Sequence, residues 1–390
     1  MRVMFVCAGG LGHLFPLIPL ARAAVAAGDE VLFATTGDGV GRVEGFGFAA
    51  VQVPDGDPAQ LAAAWSQLPE RDVNTFVVAE IFLRIQGAAA LPAHLSLIDS
   101  FRPGLVISSE LPALVAAEAS GVASAYVGIT ALDLDDLDLT RVVTALDDLR
   151  VAAGLPVLGR LPFPDRATYL SPLPPVLWAD QAHLPEGWLW YRHEDAEGPV
   201  ARVPGRRADQ RARIYATIGS VAGGNEFGRS VARAMIKALG RLDAEVVFTG
   251  AVGELSEADR VPANVTVAKY LSQSEAMNCD VAVVHGGSGT TVAALARGLA
   301  MVVVPMFADQ MHNADRLVEA GIGQRVDPER ISQQLTSAVE AVLTEPRYRT
   351  NAELVAGTIA ARPTPAEALE IMRERAGRRQ RVGPDSGRRT

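Results

Sequence analysis

The sequence predicts an α/β protein built of two doubly wound, Rossmann-like domains that face a cleft. Three observations carry this. The 390 residues exceed what one hydrophobic core organises. Strands ending in glycines and followed by helices recur in both halves, and a stretch rich in charge, Gly and Pro separates them.

Val3 to Ala8 is a short apolar run ending in glycines, as a parallel strand covered on both faces requires. Pro16 suits the first turn of a helix whose apolar positions Leu17, Leu20, Ala21, Ala24 and Val25 run to a stop at Gly28. Glu30 to Ala34 begins the next strand, which closes a right-handed βαβ unit within about 35 residues. Leu105–Ser108 and Ala123–Val127 read as further strands around the helix Ala113 to Ala119. In the second half the strands expected are Arg213–Thr217, Ala244–Thr249, Val265–Ala268, Val281–Val284 and Ala300–Val304. The helices between them are Phe227 to Leu239, Thr290 to Arg297 and Asn313 to Ala320.

Glu194 to Gln210 has the composition of an exposed linker. The division expected is an N-terminal domain over 1–195, a linker over 196–212 and a C-terminal domain over 213–360. A C-terminal helix over 361–376 is expected to pack back on the N-terminal domain, with a disordered basic tail over 377–390. Pro54 to Leu91, with Trp65, Phe76 and Phe82, and Asp133 to Trp190, with the acidic run Asp133–Asp138, read as long insertions of the binding-loop kind.

Hydrophobic residues make up 49% of the chain and charged residues 21%, which excludes disorder and fibrous architectures. The net charge of -9, from 45 acidic and 36 basic residues, argues against a nucleic-acid partner. Cys7 and Cys279 sit in apolar runs and suit inert core thiols in a reducing compartment. Val3 to Ala21 carries no charge, but Gly9, Gly10, Gly12, His13, Pro16 and Pro19 break any continuous apolar helix. The chain is therefore read as cytoplasmic, with no membrane partner. A homodimer is expected only from the frequency of dimers among soluble enzymes.

The most informative stretch is His285-Gly286-Gly287-Ser288-Gly289-Thr290-Thr291, between a strand and a helix. Glycines there let backbone approach a ligand, and the free amides of a helix start suit a phosphate. His285 and the Thr290 hydroxyl add donors; the alternative is a turn whose glycines only permit tight packing. After the next strand, Asp309 and Gln310 offer groups that read sugar hydroxyls at the carboxyl edge of the sheet. Capping of the following helix explains the same two residues. No cluster has metal-ligand spacing, since the six histidines are scattered.

At this point the residues carry a resemblance. His285-Gly-Gly-Ser-Gly-Thr, Pro305 to Asn313 and Gly321-Ile322-Gly323 resemble the donor-binding signature of GT-B glycosyltransferases, the family of antibiotic, macrolide and plant natural-product enzymes. Gly9-Gly10-Leu11-Gly12-His13-Leu14-Phe15-Pro16 resembles that family's acceptor-side loop, and the likeness spans nearly the whole chain in order. The resemblance implies inverting, metal-independent sugar transfer from a nucleotide sugar held by the C-terminal domain to an acceptor held by the N-terminal one. No cofactor is expected beyond that co-substrate.

Carried over residue by residue, His13 matches the general base, as a near-neutral pKa suits. Relatives orient that histidine with an aspartate. Ile107-Ser108-Ser109-Glu110-Leu111 has none, so Glu110 is the candidate substitute and Ser109 the fallback. Ser220 and its amides match the other diphosphate turn, Tyr270 an aromatic stacked on the nucleobase, and Gln273 an amide at the base edge. A partly buried strand-end residue is the other reading of Tyr270. Gly287, Ser288, Gly289, Thr290, Asp309 and Gln310 complete the donor side, and Gly12, Trp65, Phe76 and Phe82 the acceptor side. Relatives that use ribose donors often carry a glutamate where this chain has Ala293, which cannot accept from a 2'-hydroxyl. The resemblance thus implies a dTDP-sugar, and the apolar insertions suggest a lipophilic acceptor such as a polyketide aglycone. An epimerase of the same fold, a nicotinamide-dependent oxidoreductase and a non-catalytic helper are the other readings. The oxidoreductase lacks G-x-G-x-x-G and an acid at Thr35-Thr36.

Overall fold

A computed structural model of the chain describes residues 1–69, 71–130, 137–163, 165–178, 187–198, 211–220, 222, 226–250 and 261–382. Its first lobe holds a seven-stranded sheet of β1 (Arg2–Cys7), β2 (Glu30–Thr35), β3 (Ala49–Gln52), β4 (Leu105–Ser108), β5 (Ala123–Val127), β6 (Thr168–Ser171) and β7 (Leu189–Trp190). The second lobe holds six strands, β8 (Ala212–Thr217), β9 (Ala244–Thr249), β10 (Val265–Val267), β11 (Val281–Val284), β12 (Ala300–Val303) and β13 (Gly323–Arg325). Every pairing is parallel. The protein therefore has two Rossmann-like α/β domains, as the apolar runs predict: β4, β11 and β12 are buried along their whole length.

Strand order runs β3-β2-β1-β4-β5-β6-β7 in the first sheet and β10-β9-β8-β11-β12-β13 in the second. The order reverses between β1 and β4, and again between β8 and β11. At such a switch point the loops leaving neighbouring strands part in opposite directions and open a crevice at the carboxyl edge. Register aligns the ends: Val6 pairs with Ser108, and Thr217 with Val284. His13 and Glu110 follow the first pair of strands, Gly219 and His285 the second.

Several expectations need correction. The stretch read as an insertion from Pro54 to Leu91 is mainly helical, with Pro58–Ser66 followed by a rod over Val73–Phe101 whose middle, Val77–Gly87, is wound as a π-helix. The second insertion contains the helix Leu139–Ala152 as well as β6 and β7. These helices carry apolar residues at helical spacing, such as Ala79, Leu83 and Leu91, which the first lobe buries. The Val73–Phe101 rod is the one described helix long and apolar enough to cross a membrane. Residues 133–136 of the acidic run lie outside the described residues.

The C-terminal helix spans Pro365–Val382, past the point where disorder was expected to begin at Gly377. Arginine and glutamine are good helix formers, and arginines near a helix C-terminus complement its dipole. The tail beyond 382 lies outside the described residues. Ala368, Leu369 and Met372 enter the first lobe's core beside Leu17, Ile18 and Ala21, and Arg373 pairs with Asp29. Leu173, Leu177 and Trp178, expected within the first domain, pack instead with Met277, Val284 and Leu317 of the second. Nor is the stretch from Glu194 wholly an exposed linker: Ala196 is buried in the first lobe's core. Residues 199–210 lie outside the described residues.

Candidate active site

His13 sits on a four-residue helix, Leu11–Leu14, directly after β1. The turn before it needs glycine at position 9, since a Cβ there would come within 2.4 Å of the Thr36 carbonyl oxygen. The Thr36 hydroxyl accepts from the Gly9 amide at 3.0 Å, and Arg42 donates to the Gly9 carbonyl at 2.5 Å. A side chain at Gly12 would meet nothing within 4 Å, so that residue leaves open space next to His13.

Glu110 enters from β4. Its backbone N–H donates to the Ser108 hydroxyl at 2.8 Å, and although it caps the helix Leu111–Ala119, its carboxylate makes no cap bond. The carboxylate turns across the switch point, where Oε1 lies 2.8 Å from His13 Nδ1. The Ala8 amide and the Ser109 hydroxyl donate to the same oxygen at 3.3 and 3.4 Å, so Ser109 addresses Glu110 rather than His13. Burial works against protonation of His13, but the charge and hydrogen bond of Glu110 outweigh it and raise the imidazole pKa above 6.5.

The π-helix supplies one wall. Phe82 stands edge-on to the His13 ring with centroids 6.5 Å apart, and one turn further Gln86 donates to Asp55 at 2.7 Å. Asp55 has its carboxyl pKa raised by burial, against the Gln86 hydrogen bond, with a contribution from Glu110. Phe76 is not at this wall; it lies under the Arg141 guanidinium, 5.7 Å from its ring centroid. Trp65 is 48% exposed on the helix Pro58–Ser66. Asp55 and Gln86 had no signature in the sequence, because their pairing depends on the turn after β3 meeting the π-helix.

On the second lobe, His285 follows β11 and lies between two glycines. A Cβ on Gly219 would approach its Nε2 to 2.6 Å and one on Gly287 to 2.5 Å. Gly219 has φ +78 and Gly286 φ +89, conformations that favour glycine. Burial lowers the His285 pKa to about 4, so the imidazole is neutral at pH 7, and Nδ1 has no partner among the described residues. Gly287 caps the helix Ser288–Ala296 without a side-chain bond, which leaves the Gly289 and Thr290 amides with no intrahelical acceptor. The arrangement offers backbone donors and a helix N-terminus to an anion. Ser220 is exposed at the neighbouring turn after β8.

Asp309 and Gln310 are both engaged by protein. The Asp309 carboxylate accepts from the Ser288 amide at 3.2 Å, from its hydroxyl at 2.5 Å and from Asn313 at 3.2 Å. Burial raises its pKa against those hydrogen bonds. Gln310 Oε1 accepts from the Met306 and Phe307 amides at 2.9 and 3.2 Å, bracing a loop in which Ala308 has φ +56. Tyr270 is 54% exposed and its hydroxyl donates to Glu197 at 2.7 Å, while Gln273 donates to the Gly289 carbonyl at 3.1 Å. A groove of about 820 Å³ between the helix Ile18–Ala26 and the second lobe has Gln273, Ala293 and Arg297 on its wall. No group of three or more His, Cys, Asp or Glu able to hold a metal occurs among the described residues.

Comparison with known proteins agrees with the two-lobed fold. Residues 233–374 match the family model described as erythromycin biosynthesis protein CIII-like, C-terminal domain. The L-demethylnoviosyl transferase of Streptomyces niveus is 28% identical over 389 residues, covering 95% of this chain and 97% of the relative. The 3-alpha-mycarosylerythronolide B desosaminyl transferase of Saccharopolyspora erythraea is 26% identical, over 97% and 100% of the two chains. The crystal structure of the glycosyltransferase SnogD from Streptomyces nogalater superposes with a TM-score of 0.75 at 27% identity, covering 97% of this chain and all of that one. The chain is thus a glycosyltransferase of the two-lobed GT-B fold, similar over nearly its whole length to antibiotic glycosyltransferases and matching the erythromycin biosynthesis protein CIII-like model in its C-terminal part.

Proposed function

We propose that the protein transfers a deoxysugar from a dTDP-sugar to a hydroxyl of a lipophilic natural-product acceptor, with inversion at the anomeric carbon and His13 as general base. The observation that carries this reading is the 2.8 Å contact between His13 Nδ1 and Glu110 Oε1 across the first lobe's switch point. A carboxylate on Nδ1 holds the proton there and leaves Nε2 unprotonated, the tautomer a base needs. In the proposed step the acceptor oxygen attacks the anomeric carbon while its proton passes to His13 Nε2. The bond from that carbon to the β-phosphate oxygen breaks, and dTDP leaves with the electron pair. The Gly289 and Thr290 amides, the helix start and one N–H of His285 meet the charge that develops on the diphosphate.

Support for the donor comes from Ala293, which stands where relatives that use ribose donors often carry a glutamate and has no acceptor for a 2'-hydroxyl. VinC has been solved with dTDP, and SpnG with thymidine diphosphate and with spinosyn aglycone. Phe82, edge-on to the His13 ring, suits an apolar acceptor. The reading is tested by incubating the protein with a panel of dTDP- and UDP-sugars and aromatic or polyketide acceptors, with products followed by mass spectrometry and the anomeric configuration by NMR. Inverted glycoside formed from dTDP donors in preference to UDP donors is the expected result. Retention of configuration, or preference for UDP donors, refutes the mechanism or the donor respectively.

A further inference from the structure

The short segment Asp195–Gly198 joins the lobes in an unusual way. Ala196 is 1% exposed within the first lobe's core, while the acids on either side of it reach the second lobe. The Asp195 carboxylate accepts from the Ser274 hydroxyl and, at 2.8 Å, from the Glu197 amide; Ser274 also donates to the Gly198 carbonyl at 2.8 Å. Glu197 uses both carboxylate oxygens: Oε1 accepts from the Tyr270 hydroxyl at 2.7 Å and Oε2 from the Gln273 amide at 3.1 Å. The turn from Tyr270 to Ser274 is thus gripped by a segment whose middle residue belongs to the other lobe. Tyr270 is otherwise poorly held, being 54% exposed. Fixing the hydroxyl and the backbone three residues on leaves the phenol ring little freedom to swing.

We propose that Glu197 is a positioning residue of the donor site, holding Tyr270 and the Gln273 turn in the orientation that stacks on the nucleobase. This rests on the reading of Tyr270 as the base-stacking residue. A half-exposed aromatic ring that rotates freely gives up part of its stacking energy to ordering. A carboxylate that fixes it beforehand removes that penalty, and hydrogen bonds to a charged group are strong enough to do so. Because Ala196 anchors the segment in the first lobe, the orientation of the base turn is also tied to how the lobes sit against each other.

The test uses the full chain and titration calorimetry with dTDP and with inorganic pyrophosphate, which carries no base. Glu197→Ala is expected to weaken dTDP binding about tenfold. Pyrophosphate affinity should stay within about twofold and kcat at saturating donor within about threefold, so that the loss appears in donor KM. Tyr270→Phe, which keeps the ring but not the hydroxyl, should reproduce the loss, and the double variant should be no worse than either single one. Glu197→Gln retains acceptor oxygen and should fall between. If Tyr270→Ala weakens dTDP binding but Glu197→Ala and Tyr270→Phe do not, Glu197 has no positioning role and the stacking reading stands. If Tyr270→Ala has no effect, the stacking reading fails and takes the proposal with it. Equal loss of dTDP and pyrophosphate in Glu197→Ala, or in Glu197→Gln where the alanine variant does not fold, marks a merely structural residue and overturns the proposal.

Discussion

Each lobe puts a histidine at the switch point of its sheet, on opposite sides of the crevice, and gives it opposite chemistry. His13 follows β1 and His285 follows β11, each at the switch point of a parallel sheet. Burial disfavours the protonated form of both. At His13 a carboxylate at 2.8 Å reverses the outcome, whereas at His285 the close neighbours are glycines and burial alone decides. Fold supplies a crevice at both sites; the surroundings of the imidazole raise the pKa of one and keep the other neutral. The pair also pulls stability in opposite directions. The raised pKa of His13 contributes stability that is present below pH 6.5 and lost as pH rises through the folded-state value. The depressed pKa of His285 contributes stability present above pH 6.5 and lost as pH falls towards about 4.

Three substitutions probe this contrast, from the largest effect to the smallest. His13→Ala should cut turnover about 100-fold or more while dTDP affinity, set by the other lobe, stays unchanged. Unaltered turnover removes His13 from the mechanism. Gly219→Ala should weaken dTDP binding about tenfold or more, through strain at φ +78 and collision with His285 Nε2, which a Cβ would approach to 2.6 Å. Calorimetry showing normal dTDP affinity would mean that His285 is not part of the diphosphate site. Ala293→Glu should raise kcat/KM for a UDP donor relative to the dTDP donor by a few-fold, by offering an acceptor to the 2'-hydroxyl. An unchanged ratio in donor competition defeats the ribose argument.

How far the sequence foretold this depends on the range of the interaction. Buried strands were legible because apolar runs such as Val281–Val284 state both length and burial locally. The short edge strands β3 and β7 were not, since β3 is largely exposed and the two are only four and two residues long. His13 and Glu110 stood out by position within strand-end loops. Their contact, 97 residues apart in sequence, is fixed by the register of β1 with β4, which no local pattern encodes. Asp309 and Gln310 carried two readings, and the structure commits Asp309 Oδ2 to Ser288 and Asn313 and Gln310 Oε1 to the Met306 and Phe307 amides. Glu197 was hidden by the composition of its neighbourhood, because a charged stretch next to glycines reads as a linker whether or not its acids have partners.

The central claim is that Glu110 sets the basicity of His13. It is tested most directly by the pH dependence of kcat/KM in the wild-type protein and in Glu110→Gln. The base acts only when unprotonated, so activity rises with pH through the His13 pKa, which Glu110 holds above 6.5. Removing the carboxylate charge should move that limb to lower pH and lower the plateau as the tautomer is released. A limb that stays in place in Glu110→Gln would contradict the account.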